Sequence, residues 1–262
     1  MKISVIGAGA MGGALVEGLL KGNTLSAADI TVADPDQNAL NRFAEQGVSV
    51  TTDNTVAATG TDIVTIVVKP WLVEKVIKEI KDGLDYKTQK LIITAAGVPS
   101  ADITKWLDKG DGIIPEYFLV IPNIAIAELA SMTFIVPVGA SEETTRTITA
   151  LFDELGSTII TEERLLAAGT TLASCGIAYA MRYVRASVEG GVELGFKAKD
   201  AQKIVLQTVK GAVELLHATG NHPEAAIDLV TTPGGVTIKG LNEMEHAGFT
   251  SAVIRGLKAG LH

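Results

Sequence analysis

The sequence predicts an α/β chain in two parts: a doubly wound sheet built from residues 1–161, then an all-helical part, residues 162–262. Three observations predict it. Short β-branched runs alternate with helical patterns through the first part. A glycine-rich turn directly follows the first of those runs. From Glu162 onward the strand signal stops, and apolar residues step by three and four, the period of a helix face.

Taken in order, residues 3–6, 30–33, 63–68, 91–94, 117–121, 133–138 and 158–161 read as strands. Between several of them, residues 12–20, 37–46, 73–80, 101–107 and 142–155 read as helices. The run Ile63-Val64-Thr65-Ile66-Val67-Val68 is apolar on both faces, as expected where helices cover both sides of a parallel sheet. In the second part, Ile177, Met181, Val184, Val188 and Val192 mark one face of a long helix that Gly195 is suited to end. A helix over 198–218 stops at Gly220, His222-Pro223 opens a short one, and 236–246 and 252–261 complete the half.

Composition narrows the function. Hydrophobic residues make up 47% and charged residues 20%, a globular balance. Aromatics are only 5%, so the core is built from Ala, Val, Ile and Leu at close approach, helped by 27 glycines. A net charge of −8 argues against nucleic acid and anionic membranes as partners. The lone Cys175 excludes an internal disulfide and a cysteine zinc site, and the four histidines lack ligand spacing, so no metal is expected. The uncharged stretch from Ile3 to Val16 mimics a signal peptide, yet a strand running into a glycine loop explains it better. With no apolar run of the ~20 residues a bilayer crossing needs, the chain reads as cytoplasmic.

Gly7-Ala8-Gly9-Ala10-Met11-Gly12 matches G-x-G-x-x-G between a strand and a helix. Such a turn brings backbone against a pyrophosphate and aims a helix N-terminus at it, although an ordinary glycine turn would show the same letters. Asp34 lies 22 residues after Gly12, where a carboxylate accepts bonds from ribose hydroxyls and repels a 2′-phosphate. No Lys or Arg lies in 34–38, the nearest being Arg42, so charge favours NADH over NADPH. The plainer alternative makes Asp34 and Asp36 caps of the next helix. Lys69-Pro70 ends the central strand, where a lysine touches ribose or phosphate or is simply solvated. Ala95-Ala96-Gly97 ends the next strand with room for a flat ring. Late in the chain, Thr232-Pro233-Gly234-Gly235-Val236-Thr237 precedes a helix, and a run of free N–H groups on Gly234, Gly235, Val236 and Thr237 would suit a carboxylate. A capped turn between helices is the alternative there.

At these motifs the sequence resembles the pyrroline-5-carboxylate reductases over essentially its whole length. The resemblance is most specific from His222-Pro223 to Ile238, through Asp228 and Val230, and continues at Gly248-Phe249 and Ala252-Val253-Ile254. Val67-Val68-Lys69-Pro70, Ala95-Ala96-Gly97-Val98, Pro122-Asn123 and the stretch from Glu189 to Gly195 match further family blocks. The resemblance implies a Rossmann domain, a helical dimerisation domain and rings of five dimers. It implies reduction of 1-pyrroline-5-carboxylate to L-proline with NADPH or NADH. The substrate carboxylate would sit on Gly234, Gly235 and Val236, with the catalytic Thr237 near the ring nitrogen. Cofactor contacts would come from Gly7, Gly9, Ala10, Met11, Gly12, Asp34, Asn54, Val68, Lys69, Pro70, Ala96, Gly97 and Asn123.

This chain departs from the family pattern at Thr232 for Ser, Val236 for Thr, Ile124 and Ile126 in P-N-T-P-A, and Ile177 for Pro. A cyclic imine is basic enough to be protonated near neutral pH, so the protein's expected task is positioning rather than strong acid catalysis. Three alternatives stand beside this reading. One is a reductase of another cyclic imine carboxylate. Another is a β-hydroxyacid dehydrogenase, which needs a lysine on the long helix, whereas residues 165–194 contain none. The third is a non-catalytic nucleotide sensor. The stripe Ala167, Ala168, Gly169, Ala173, Ser174, Gly176, Ala178 and Ala180, in a helical half short of core, points to an intertwined homodimer.

Overall fold

A computed structural model describes residues 1–261. The chain forms two compact units, Met1–Ser174 and Cys175–His262.

The first unit is an eight-stranded sheet in the order β3-β2-β1-β4-β5-β6-β7-β8. Its strands are β1 (Ile3–Ile6), β2 (Ile30–Ala33), β3 (Ser49–Thr51), β4 (Ile63–Ile66), β5 (Lys90–Ile93), β6 (Tyr117–Ile121), β7 (Ser131–Val138) and β8 (Gly156–Ile160). The helices α1 (Ala10–Lys21), α2 (Gln37–Ala44), α3 (Asn54–Ala58), α4 (Val73–Ile80), α5 (Ser100–Leu107) and α6 (Glu142–Asp153) cover it. Alternation along the strands separates two cores. Ile3, Val5 and Val32 bury against Leu15, Val16 and Leu19 of α1, Leu40 and Phe43 of α2 and Phe152 of α6. Ile6, Val64 and Ile66 bury on the other face with Ala57 of α3, Val73, Val76, Ile77 and Ile80 of α4 and Ile103 and Leu107 of α5. Helices on both faces of a parallel sheet give the doubly wound architecture the sequence predicts.

Strands β1 to β6 all run parallel. β7 turns antiparallel to β6, pairing Tyr117 with Val138 and Ile121 with Phe134. Only residues 122–130 join the two, too few for the crossover of a dozen or more residues that a parallel neighbour needs. The sequence reading lacks β3 and α3. Both are too short to show a period, and α3 depends on a cap, the Asp53 carboxylate accepting from the N–H groups of Thr55 (2.8 Å) and Val56 (3.2 Å).

The expected single long helix after residue 162 is divided. Its small residues Ala167, Ala168 and Gly169 lie on α7 (Leu166–Gly169), and Ala173 and Ser174 lie on a π-helical turn, Thr170–Cys175. Thr170 and Thr171 donate their hydroxyls to the carbonyls of Leu166 (2.7 Å) and Ala168 (3.1 Å), and such back-bonding competes with the regular ladder. Gly169 is needed where it is, since a Cβ there would lie 2.9 Å from the Phe134 ring.

The second unit comprises α8 (Gly176–Glu193), α9 (Ala198–Thr219), α10 (Pro223–Leu229), α11 (Val236–His246) and α12 (Phe249–Ala259). Gly191 faces Ala201 where α8 and α9 meet, and Tyr183 packs edge-on against Phe249 at 6.5 Å between ring centroids. Among its described residues only Val188 and Ala201 are buried, while Met181, Leu194, Leu215 and Leu229 lie open. Taken as one chain this unit is short of core, as its composition suggested. No helix among the described residues is long and apolar enough to cross a membrane. No group of three or more His, Cys, Asp or Glu residues among them is arranged to hold a metal ion.

Candidate active site

The glycine loop is built by close approach of backbone. Gly7 follows β1 with φ +108° and donates its N–H to the Ala33 carbonyl at 2.7 Å. A Cβ on Gly7 would run into the carbonyl of Val67, and one on Gly12 into the carbonyl of Gly7. Any larger residue at either position pushes the loop off the sheet. Gly9 differs: it is the N-cap of α1, and a Cβ there would meet nothing within 4 Å. No side chain caps α1 and no acid stands in its first turn. The first intrahelical bond is Gly13 N–H to Gly9 carbonyl at 2.7 Å, so the N–H groups of Ala10, Met11 and Gly12 precede the ladder. Uncapped donors, the positive end of a 12-residue helix and open space over Gly9 make a seat that fits a pyrophosphate.

The other expected cofactor residues each follow the carboxyl end of a parallel strand. Asp34 follows β2, Asn54 follows β3, Val68-Lys69-Pro70 follow β4, Ala96 and Gly97 follow β5, and Asn123 follows β6. Because β1 to β6 are parallel, these positions share one edge of the sheet with the glycine loop, the edge where ligands bind in such folds. Asp34 is half-buried. Its Oδ2 accepts from Ala8 N–H at 2.7 Å and its Oδ1 from Asp36 N–H at 2.9 Å. Asp36 is the helix cap, accepting from Asn38 N–H at 2.9 Å, so the two aspartates have different tasks. Arg42 is engaged by Glu17 at 3.2 Å. Asn54 donates from Nδ2 to Glu79 at 3.1 Å, and Lys69 is exposed and pairs with no carboxylate among the described residues. Val68 packs beside Gly7, Ala96 is exposed, and Gly97 takes φ +78°. Asn123 is buried, its Oδ1 accepting from Ala125 N–H at 3.0 Å and its own N–H donating to Ser131 Oγ at 3.1 Å.

Sequence reasoning missed the residues that hold these in place. Ser131 fixes the Asn123 backbone, and Ser174 donates its hydroxyl to the Pro122 carbonyl at 3.0 Å from the π-helical turn. The Glu163 carboxylate accepts from both the N–H (2.7 Å) and the hydroxyl (2.5 Å) of Ser100, capping α5. A polar residue in an apolar strand was the signal for Ser131. Glu163 acts across 63 positions and left none.

In the second unit, Gly234 takes φ +70° and α11 starts at Val236 with Gly235 as N-cap and no side-chain cap. The expected run of free N–H groups is one shorter than the sequence suggested. Gly235 donates its N–H to the Thr232 carbonyl at 2.9 Å, because the turn closes on itself before the helix begins. The N–H groups of Val236 and Thr237 stand in the first turn, and both side chains are exposed. This second uncapped helix start suits a carboxylate. Both seats are made chiefly of backbone, and the chemistry they offer is anion binding and orientation.

A family model described as pyrroline-5-carboxylate reductase dimerisation matches residues 163–262, and one described as NADP oxidoreductase coenzyme F420-dependent matches residues 2–97. Pyrroline-5-carboxylate reductase of Methanosarcina acetivorans is 34% identical over 97% of this chain and 94% of its own length. Pyrroline-5-carboxylate reductase 1 of Dictyostelium discoideum is also 34% identical over 97% of this chain, which spans 48% of that protein. The crystal structure of Plasmodium falciparum pyrroline carboxylate reductase with NADP bound superposes with a TM-score of 0.90 at 22% identity, covering 100% of this chain and 95% of that one, a likeness of fold. With 34% identity extending over nearly the full length of the Methanosarcina reductase, the chain belongs to the pyrroline-5-carboxylate reductase family.

Proposed function

We propose that the chain reduces 1-pyrroline-5-carboxylate to L-proline. It is an oxidoreductase acting on a C=N bond. The observation that carries this reading is similarity to a reductase of that name across both units. A reduced nicotinamide, when bound, supplies hydride to the imine carbon. The imine nitrogen takes a proton, so hydride and proton together convert C=N to CH–NH.

The residues do the following in this reading. Ala10, Met11 and Gly12 offer N–H groups to the pyrophosphate, while Gly7 and Gly9 keep the approach clear. Asp34 and Asn54 meet the adenosine ribose, Val68, Lys69 and Pro70 line the path beyond the loop, and Ala96, Gly97 and Asn123 leave room for the nicotinamide. Gly234 and Val236 hold the substrate carboxylate, Gly235 shapes the turn through its bond to Thr232, and the Thr237 hydroxyl bonds at the ring nitrogen and orients it. The chain needs no strong general acid, because the imine nitrogen is protonated near neutral pH.

The negative Asp34 and the pairing of Arg42 with Glu17 support NADH over NADPH. The helical part, residues 162–262, forms a homodimer over its exposed apolar residues, and five dimers form a ring in the cytoplasm. Loss of nicotinamide absorbance with pyrroline-5-carboxylate tests the activity, and no turnover refutes it. A second reading, reduction of another cyclic imine carboxylate, rests on Ile124, which stands 49% exposed beside Asn123. Faster turnover of a six-membered imine than of the five-membered one would favour it. Turnover restricted to hydroxyacids would point to the dehydrogenase alternative instead.

A further inference from the structure

We propose that Asp34 is a positioning residue that sets the shape of the glycine loop, beyond any contact it makes with a ribose. This rests on the cofactor reading above and gives one of its residues a second task. Two consecutive N–H groups at the start of the loop are held by two consecutive residues of β2 and its end. Gly7 N–H goes to the Ala33 carbonyl at 2.7 Å, and Ala8 N–H goes to the Asp34 carboxylate at 2.7 Å. Among the described residues, no other side chain bonds to the backbone of residues 7–12. The other oxygen of the same carboxylate takes Asp36 N–H at 2.9 Å, which fixes the side chain's direction.

The consequence concerns where a phosphate can be met. Ala8 N–H is turned into the β2 end and is not offered to an anion. The donors left are that of Gly9 and, at the head of α1, those of Ala10, Met11 and Gly12. A loop released from Asp34 loses that division of donors. It also leaves a buried N–H without its charge-assisted partner.

Reduced nicotinamide mononucleotide separates this task from ribose reading, because it carries a phosphate but no adenosine and no 2′-phosphate. Binding is read by the change in nicotinamide fluorescence, which needs no imine. Asp34→Ser, whose side chain is too short to reach both N–H groups, should weaken mononucleotide binding at least 10-fold. Asp34→Asn keeps one acceptor oxygen and should recover most of that loss. Amide exchange at Ala8 should quicken in Asp34→Ser and less in Asp34→Asn, which keeps the test alive if Asp34→Ser folds poorly. Mononucleotide affinity within twofold of the parent in folded Asp34→Ser, with only the NADH to NADPH ratio altered, overturns the inference. So does a parent protein that binds NADH but not the mononucleotide. A protein that binds both yet fails to reduce pyrroline-5-carboxylate counts against the proposed reaction and leaves the loop assignment standing.

Discussion

Replacing Gly9 by alanine should separate binding from folding at the glycine loop. Gly9 has φ −64° and ψ −166°, extended backbone open to any L-residue, and the new Cβ would meet nothing within 4 Å. Folding therefore loses no contact, and the stiffer unfolded chain adds about 0.4–1 kcal/mol of stability. In the proposed function, the space the methyl group fills is where a phosphate would approach the head of α1. Overpacking of a close contact costs about 1–3 kcal/mol, or about 5- to 150-fold in dissociation constant at ~1.4 kcal/mol per tenfold. Gly7→Ala is the control: φ +108° strains a Cβ by about 1–3 kcal/mol before its collision with the Val67 carbonyl is counted. Calorimetry on the NADH titration and a thermal melt of each variant decide the matter. Gly9→Ala should melt at or slightly above the parent temperature and bind weakly, and Gly7→Ala should melt well below it. Parent-like NADH affinity in Gly9→Ala refutes the phosphate seat.

Other perturbations follow from the same geometry. Thr237→Ala should lower kcat/KM about 10- to 100-fold, the scale of one or two hydrogen bonds at a site, and an unchanged value removes Thr237 from the mechanism. Glu163→Ala strips the cap from α5 and should cost about 1–2 kcal/mol in urea unfolding, whereas a midpoint that does not move denies the clamp on Ser100. Burial works to raise the Glu116 carboxyl, but bonds from Lys90, Ser141 N–H and the Thr144 hydroxyl outweigh it and bring it from 4.5 down to about 2. The native carboxyl thus gives up its proton more readily than the unfolded one. Its contribution, about 1–2 kcal/mol after allowance for solvent screening, is complete above about pH 4.5 and lost as pH falls toward 2. Stability of Glu116→Gln measured across that interval should fall less steeply than the parent's, and parallel acid limbs would contradict this.

How far the sequence was legible depends on the range of the interaction. The strands Ile3–Ile6, Ile30–Ala33 and Tyr117–Ile121 have the bounds read from β-branched runs, because burial on both faces writes itself into consecutive residues. The glycine loop was legible in part because backbone collisions with Val67 and Gly7 leave no room for another residue type at Gly7 and Gly12. Ser49–Thr51 and Asn54–Ala58 were not, being shorter than any period that could announce them. The free N–H expected at Gly235 was an error of the same origin, since a turn that closes on Thr232 and one that stays open share one set of letters. The sequence offered Asp34 as a ribose partner or a helix cap, while the bond to Ala8 links positions 26 apart and shows only in three dimensions.

The two residues buried among those described in the second unit, Val188 and Ala201, have a bearing on how the protein behaves in dilution. Helices with so little interior of their own draw their cohesion from a neighbour, and cohesion of that kind follows mass action. The melting temperature should climb with protein concentration. A chain diluted below its own dissociation constant for self-association would then populate an unassembled form with its apolar helix faces open to water.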